Sequence, residues 1–272
     1  MKKTILLLVG LSMLFFNCTV KEKIVFNDDY SGTYLVNFDM SPFMKAFEES
    51  MGGNQTTDTN EEKEYEVIDT VMVFADIMEM YKDSISQLPE EKRVAMEAVK
   101  DMYMKMQMDE KEKTMSFGIG LDFSTIDELK GIREKVRKAQ SLNAQNDQVS
   151  SLKEGSPLGK FMGDNNSDVV YSISNSAFSR VTVIDEETQK ELEELNNELD
   201  SSSDDPTTDE FKNYFSESFY EVEITFPRKI KSSSVETSEI SNDSKTISYK
   251  ADWMEYLKDP RVLDVNVEFV DE

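Results

Sequence analysis

Two sets of sulfur atoms are spaced in a way that could do chemistry. The single thiol of the 272-residue chain, Cys18, stands in "LFFNCTVKEK", just behind the apolar run Thr4–Phe16. The thioethers of Met102, Met104, Met106 and Met108 alternate along one stretch, with Met78, Met80 and Met96 shortly before it. Lys2 and Lys3 precede the apolar run, which is too short to cross a bilayer comfortably, so residues 1–17 read as an export signal. A thiol directly after such a signal is placed for lipid attachment. Each buried acyl methylene contributes about 0.8 kcal/mol, so a multiply acylated cysteine is a stable anchor. Period-two thioethers on one face are soft ligands suited to Cu(I). The same spacing also builds an adaptable apolar face for packing. With no His or free Cys beside them, packing is the expectation, and a Cu(I) site at Met102, Met104, Met106 and Met108 is the alternative.

Other chemistries are excluded or left without support. The chain has no histidine, which removes Ser-His-Asp and Cys-His hydrolases and the usual zinc sites. It has no Gly-rich phosphate loop. Carboxylates are so numerous that no glycosidase pair stands out, because that reaction needs two placed acids rather than many. Asp164, Asn166 and Asp168 imitate the opening of a calcium loop, but Val169 replaces the required Gly and Asn175 the closing Glu. No catalytic residue, no cofactor and no resident metal are expected, and the chain reads as a non-enzyme. Without residues 1–17 it carries 28 basic and 55 acidic residues, a net charge of −27. Such a surface repels nucleic-acid phosphates and anionic lipid head groups. Acylation of Cys18 leaves no thiol for a disulfide. The 38% of hydrophobic residues suffices for one core with polar linkers.

The elements that must position these residues follow a repeated plan. Ile24–Phe26 and Tyr34–Phe38 alternate around "NDDYSG", whose residue types favour a hairpin turn. Ser41-Pro42 supplies an N-cap and a first-turn proline for a helix carrying Phe43, Phe47 and Met51. A helical pair is expected over Ala75–Asp101, with Pro89 near its joint. Met102–Met108 and Met115–Phe123 form a second hairpin around "DEKEK". Thr125 and Glu128 make a capping box for a helix with Ile126, Leu129, Ile132, Val136 and Ala139 on one face. Val169–Ile173 and Phe178–Ile184 give a third strand pair, followed by a helix with Leu192, Leu195 and Leu199. Tyr220, Val222, Ile224 and Phe226 begin a fourth set of strands. A short helix over Trp253–Leu257 and a strand with Leu263, Val265, Val267 and Phe269 close the chain.

Strand pairs followed by helices predict an α+β fold, an antiparallel sheet with helices on one face. The domain plan is a signal peptide over 1–17, the lipidated Cys18 with a short tether to residue 23, and one domain over 24–272. Polar insertions are expected near 52–64, 141–168 and 200–210.

Two stretches carry a resemblance. Phe15-Phe16-Asn17-Cys18 resembles the looser lipobox of Bacteroidota lipoproteins, and "EKIVFNDDYSGTYLVNFDMS" resembles the opening of uncharacterised members of that group. The closing segment from "YEVEITFPRKIK" through "WMEYLKDP" fits the same pattern. Tyr30 stands where the group's turn has Gly. The resemblance implies a lipid anchor at Cys18, an outer-membrane address and this fold, and no activity. The anchor makes the membrane a partner; separately from the resemblance, the body reads as a binding or interaction module for an unknown protein or lipid-like partner, with a Cu(I)-binding protein or a lipid-like ligand carrier as the alternatives. Surface export in this group resembles a rule of acidic residues soon after the lipidated cysteine. Here Glu22 stands alone between Lys21 and Lys23, which favours the periplasmic face.

Overall fold

The turn "NDDYSG" is where the chain first folds back on itself. In the structure, a computed structural model that describes residues 19–41, 65–132, 134–135, 167–200 and 218–271, Asn27 N–H donates to the Ser31 carbonyl at 2.7 Å. Asp29 Oδ1 accepts from both Ser31 N–H and Ser31 Oγ. Tyr30 has φ +64°, the left-handed region that explains why glycine suits this position. The turn joins β1 (Thr19–Phe26) to β2 (Gly32–Asp39) in register from Val20↔Phe38 to Phe26↔Gly32. Gly32 has no room for a side chain, since a Cβ there would lie 2.0 Å from the Val25 carbonyl oxygen.

β1 therefore starts at Thr19, and residues 19–23, expected as a tether, are strand. The reason is visible in the alternation. Val20, Glu22, Ile24 and Phe26 all point to the core, so the strand pattern runs through the charged triplet instead of stopping at it.

The remaining elements are β3 (Val67–Val73), α1 (Phe74–Met80), α2 (Lys82–Ser86), α3 (Glu90–Ala98), β4 (Met102–Asp109) and β5 (Thr114–Phe123). A 3-10 turn over Ile126–Leu129 leads to β6 (Asp168–Ile173), β7 (Ala177–Val183) and α4 (Glu186–Asp200). Then come β8 (Phe219–Thr225), β9 (Ile230–Ser233), β10 (Glu239–Ile240) and β11 (Thr246–Asp252). The chain ends with α5 (Trp253–Lys258), a second 3-10 turn (Pro260–Leu263) and β12 (Val265–Phe269). The fold is α+β, with antiparallel pairing throughout except between β1 and β8, which run parallel.

Two sheets share the strands. The larger has the order β10-β11-β8-β1-β2-β5-β4-β3, and the smaller β6-β7-β12-β9. The small sheet lies against the inner face of the large one. Phe26 of β1 meets Phe178 of β7 at 5.8 Å between ring centroids, and Phe226 meets Phe269 of β12 at 5.0 Å. Helices cover part of the same face. In α5, Trp253 stacks on Tyr220 at 6.1 Å, and Asp252 caps the helix by accepting from the Met254 and Glu255 N–H groups. The cover is thus a second sheet as well as helices.

Several local expectations are refined. β3 forms where no strand was expected, at the edge of the large sheet. The helical pair over 75–101 is three short helices, with Pro89 in extended conformation before α3. Glu128 accepts from the Ser124 and Thr125 N–H groups, as a capping box requires; Gly131 at φ +69° breaks the path after one 3-10 turn, and helix resumes at Ile132, with Lys135 N–H donating to the Gly131 carbonyl at 3.1 Å. Ser41 Oγ accepts from Met115 N–H at 3.0 Å, which ties the end of β2 to β5. The helix expected around Phe43, Phe47 and Met51 lies outside the described residues. So do Val136, Ala139, Asp164, Asn166, the export signal, Cys18 and nearly all of the three polar insertions. Asp168 opens β6 as an exposed strand residue.

Candidate functional site

A charged pair sits where the two sheets meet. Glu22 of β1 and Arg180 of β7 are both 0% exposed. Arg180 grips the carboxylate with two parallel bonds, Nε to Oε1 and Nη2 to Oε2, each at 3.1 Å. Tyr171 Oη donates to Oε1 at 2.8 Å and Tyr220 Oη to Oε2 at 3.0 Å, so each carboxylate oxygen receives two donors. Arg180 Nη1 donates to the Leu263 carbonyl, which also accepts from Tyr249 Oη. Asp264 stands 3.8 Å from Nη1 and accepts from Thr182 N–H and Oγ1.

Burial opposes the charge of Arg180, yet Glu22 and the oxygen dipoles around it raise the guanidinium pKa well above its ordinary value. Burial pushes the Tyr249 hydroxyl up as well, against the opposing pull of Arg180. Every polar atom of the Glu22 carboxylate is engaged, so this arrangement holds strands together; it is a clasp between sheets. It also changes the reading of Glu22, which is not a free acidic residue near the N-terminal end of the body.

Its neighbours face the other way. Lys21 Nζ lies 3.1 Å from Glu221 and 2.7 Å from Glu223, and Lys23 Nζ lies 2.7 Å from Glu223. Partial burial would lower the Lys21 pKa, but its hydrogen bonds to Glu223 and Glu221 outweigh this and raise it. Burial likewise would raise Glu223, and its bonds to Lys21 and Lys23 bring it below its ordinary value. The triplet Lys21-Glu22-Lys23 is thus divided between the two faces of β1.

The four alternating methionines do share one face of β4, and they are graded along it. Met102 is 1% exposed and Met104 8%, both in the core. Met106 and Met108 are half-buried and stand outside the core cluster, so core packing describes Met102 and Met104 and not these two. Pairing adds further thioethers: Met72 of β3 is opposite Met104, and Met115 of β5 is opposite Met108. The core takes Met102 and Met104 out of reach of solvent, so the four do not form one accessible ligand set. Met78 and Met96 are half-buried and Met80 is exposed on the α1–α3 segment.

β2 and β5 show the same gradient. Tyr34 and Val36 are buried while Phe38 and Met40 are half-buried; Leu121 and Ile119 are buried while Phe117 and Met115 are half-buried. Among the described residues no group of three or more His, Cys, Asp or Glu is placed to hold a metal ion. Two open surface depressions are present, one beside Phe219, Glu239 and Lys250 and one around the Asn27–Ser31 turn. Neither gathers the groups of a reaction centre. Sequence reasoning took Glu22 only as a lone acidic residue behind the cysteine and did not single out Arg180; the available signal was position, since each falls on the inward parity of its strand, Val20-x-Glu22-x-Ile24 and Phe178-x-Arg180-x-Thr182.

No family model and no curated protein matches the chain. These comparisons lend no support to the resemblance to Bacteroidota lipoproteins. Among solved structures, the folded domain of LppM from Mycobacterium tuberculosis, determined by NMR, aligns over 95% of this chain and 95% of that one. It is 8% identical with a TM-score of 0.34, a likeness too low to carry an argument about fold or function.

Proposed function

We propose that the chain is a non-enzymatic lipoprotein of the cell envelope, anchored through Cys18 and serving as a binding or interaction module on the periplasmic face of the outer membrane. The observation that carries this reading is the position of β1. The only thiol follows an export-type signal and precedes the first strand of the large sheet by a single peptide link. An anchor there holds the body against the bilayer with almost no slack. The clasp at Glu22 supports the same reading, because it fixes the strand that the anchor would pull upon. The partner is a protein or a lipid-like molecule. No step of catalysis is assigned to any residue.

Replacing Cys18 by Ala tests the anchor. The variant is expected in the soluble fraction after cell lysis, with an unchanged melting temperature, because position 18 precedes β1 and the core. A variant that still sediments with membranes and resists washing in high salt would contradict the proposal.

A further inference from the structure

On the inner face of the large sheet, the half-buried apolar residues of β2, β5 and β4, together with the residue after β2, lie at one end. Val20, Phe38, Phe117 and Met106 form one row across β1, β2, β5 and β4. The next row outward contains Met40, Met115 and Met108, with Met40 N–H donating to the Met115 carbonyl at 2.7 Å. This is the end at which β1 begins, since Thr19 lies beyond Val20 in the same direction. Burial falls off toward that end on three strands in succession, while the opposite end, with Phe26, Phe123 and Met102, is closed.

Cys18 is one peptide unit from Thr19, about 3.8 Å between Cα atoms. Neighbouring strands are about 4.8 Å apart, so β5 and β4 stand roughly 10 and 14 Å to the side of β1. Lipid attached at Cys18 therefore starts beside this end of the sheet. We infer that Met40, Met106, Met108 and Met115 form a docking strip for the acyl chains of the bilayer that holds the anchor, backed by Phe38 and Phe117, which pack against the core. The inference rests on the anchoring reading above. Methionine suits the task, because its flexible thioether adapts to mobile chains without a fixed shape. The charge of the body selects the surface: a net −27 disfavours anionic head groups, so the partner is a bilayer of neutral, zwitterionic lipids.

The test uses the full-length protein isolated from membranes and returned to phosphatidylethanolamine–phosphatidylcholine vesicles containing a lipid with a diazirine in its acyl chain. After irradiation, peptide mass analysis reads both the state of Cys18 and the sites of lipid adducts. Expected are an acylated Cys18 and adducts on the peptides carrying Met40 and Met106–Met115. Those adducts are lost in Met108→Glu/Met115→Glu and retained in Met108→Leu/Met115→Leu. An acylated Cys18 with adducts absent from the strip overturns this inference and leaves the anchor standing. An unmodified Cys18 overturns both. Equal labelling of the Cys18→Ala protein by a free diazirine fatty acid, without vesicles, makes the strip a soluble-ligand site and overturns it as well. Protection of the strip in a dimer, with no lipid adducts, assigns it to a second copy and overturns it too.

Discussion

Arg180→Met is expected to lower the unfolding free energy by about 3–5 kcal/mol, because it strands the Glu22 carboxylate between two sheets. Glu22 would keep the Tyr171 and Tyr220 hydroxyls as donors but lose both guanidinium bonds. Folded domains hold about 5–15 kcal/mol in total, so a loss of this size leaves a marginal protein. Glu22→Met should cost a similar amount by leaving the guanidinium without its counter-charge. The double variant separates the burial of a charge from the value of the pair. With both groups replaced by methionine, the volume is roughly kept and no unpaired charge remains, so much of the loss should return. Recovery is incomplete, since the tyrosine hydroxyls lose their acceptor and the Leu263 carbonyl a donor, at about 1 kcal/mol each. Urea unfolding of the wild type, both single variants and the double variant measures this directly. Additive losses in the double variant would mean that the two residues do not act as one clasp.

The second large effect concerns methionines that look alike in the sequence. Met102→Ala is expected to cost about 2–5 kcal/mol, the range for deleting a large buried side chain and leaving a cavity. Met108→Ala, six residues along the same face, should stay within about 1 kcal/mol, because its side chain is half-exposed and outside the core cluster. Met104→Leu should cost under about 1.5 kcal/mol, since volume and apolarity are kept. Equal losses at Met102 and Met108 would show that the stripe is packed evenly along its length, contrary to the gradient in burial.

These two cases mark what the sequence could and could not show. Hairpins were legible because turn residues and strand alternation are local: "NDDYSG" and "DEKEK" each join the two strands expected to flank them. The α+β class followed from the order of those elements. Depth along a strand was not legible. Met104 and Met106 have the same neighbours in pattern, and their different burial depends on what the folded chain lays over each of them. The two-sheet arrangement was equally hidden, because β7 and β12 are distant in sequence from the strands they cover. Glu22 reads as a solvated charge between two lysines until the strand parity is followed inward. β3 escaped notice because Val67, Val71 and Val73 are exposed on an edge while Ile68, Thr70 and Met72 are only half-buried, so its apolar residues do not alternate cleanly with polar ones.

The proposed anchor at Cys18 directly precedes β1, the strand that the Glu22–Arg180 clasp ties to the small sheet. The most direct test is the mass of the N-terminal peptide of the protein extracted from membranes. The account predicts a mature chain that begins at Cys18, with residues 1–17 removed and acyl groups on the cysteine. A mature chain beginning elsewhere, with Cys18 carrying a free thiol, would contradict it.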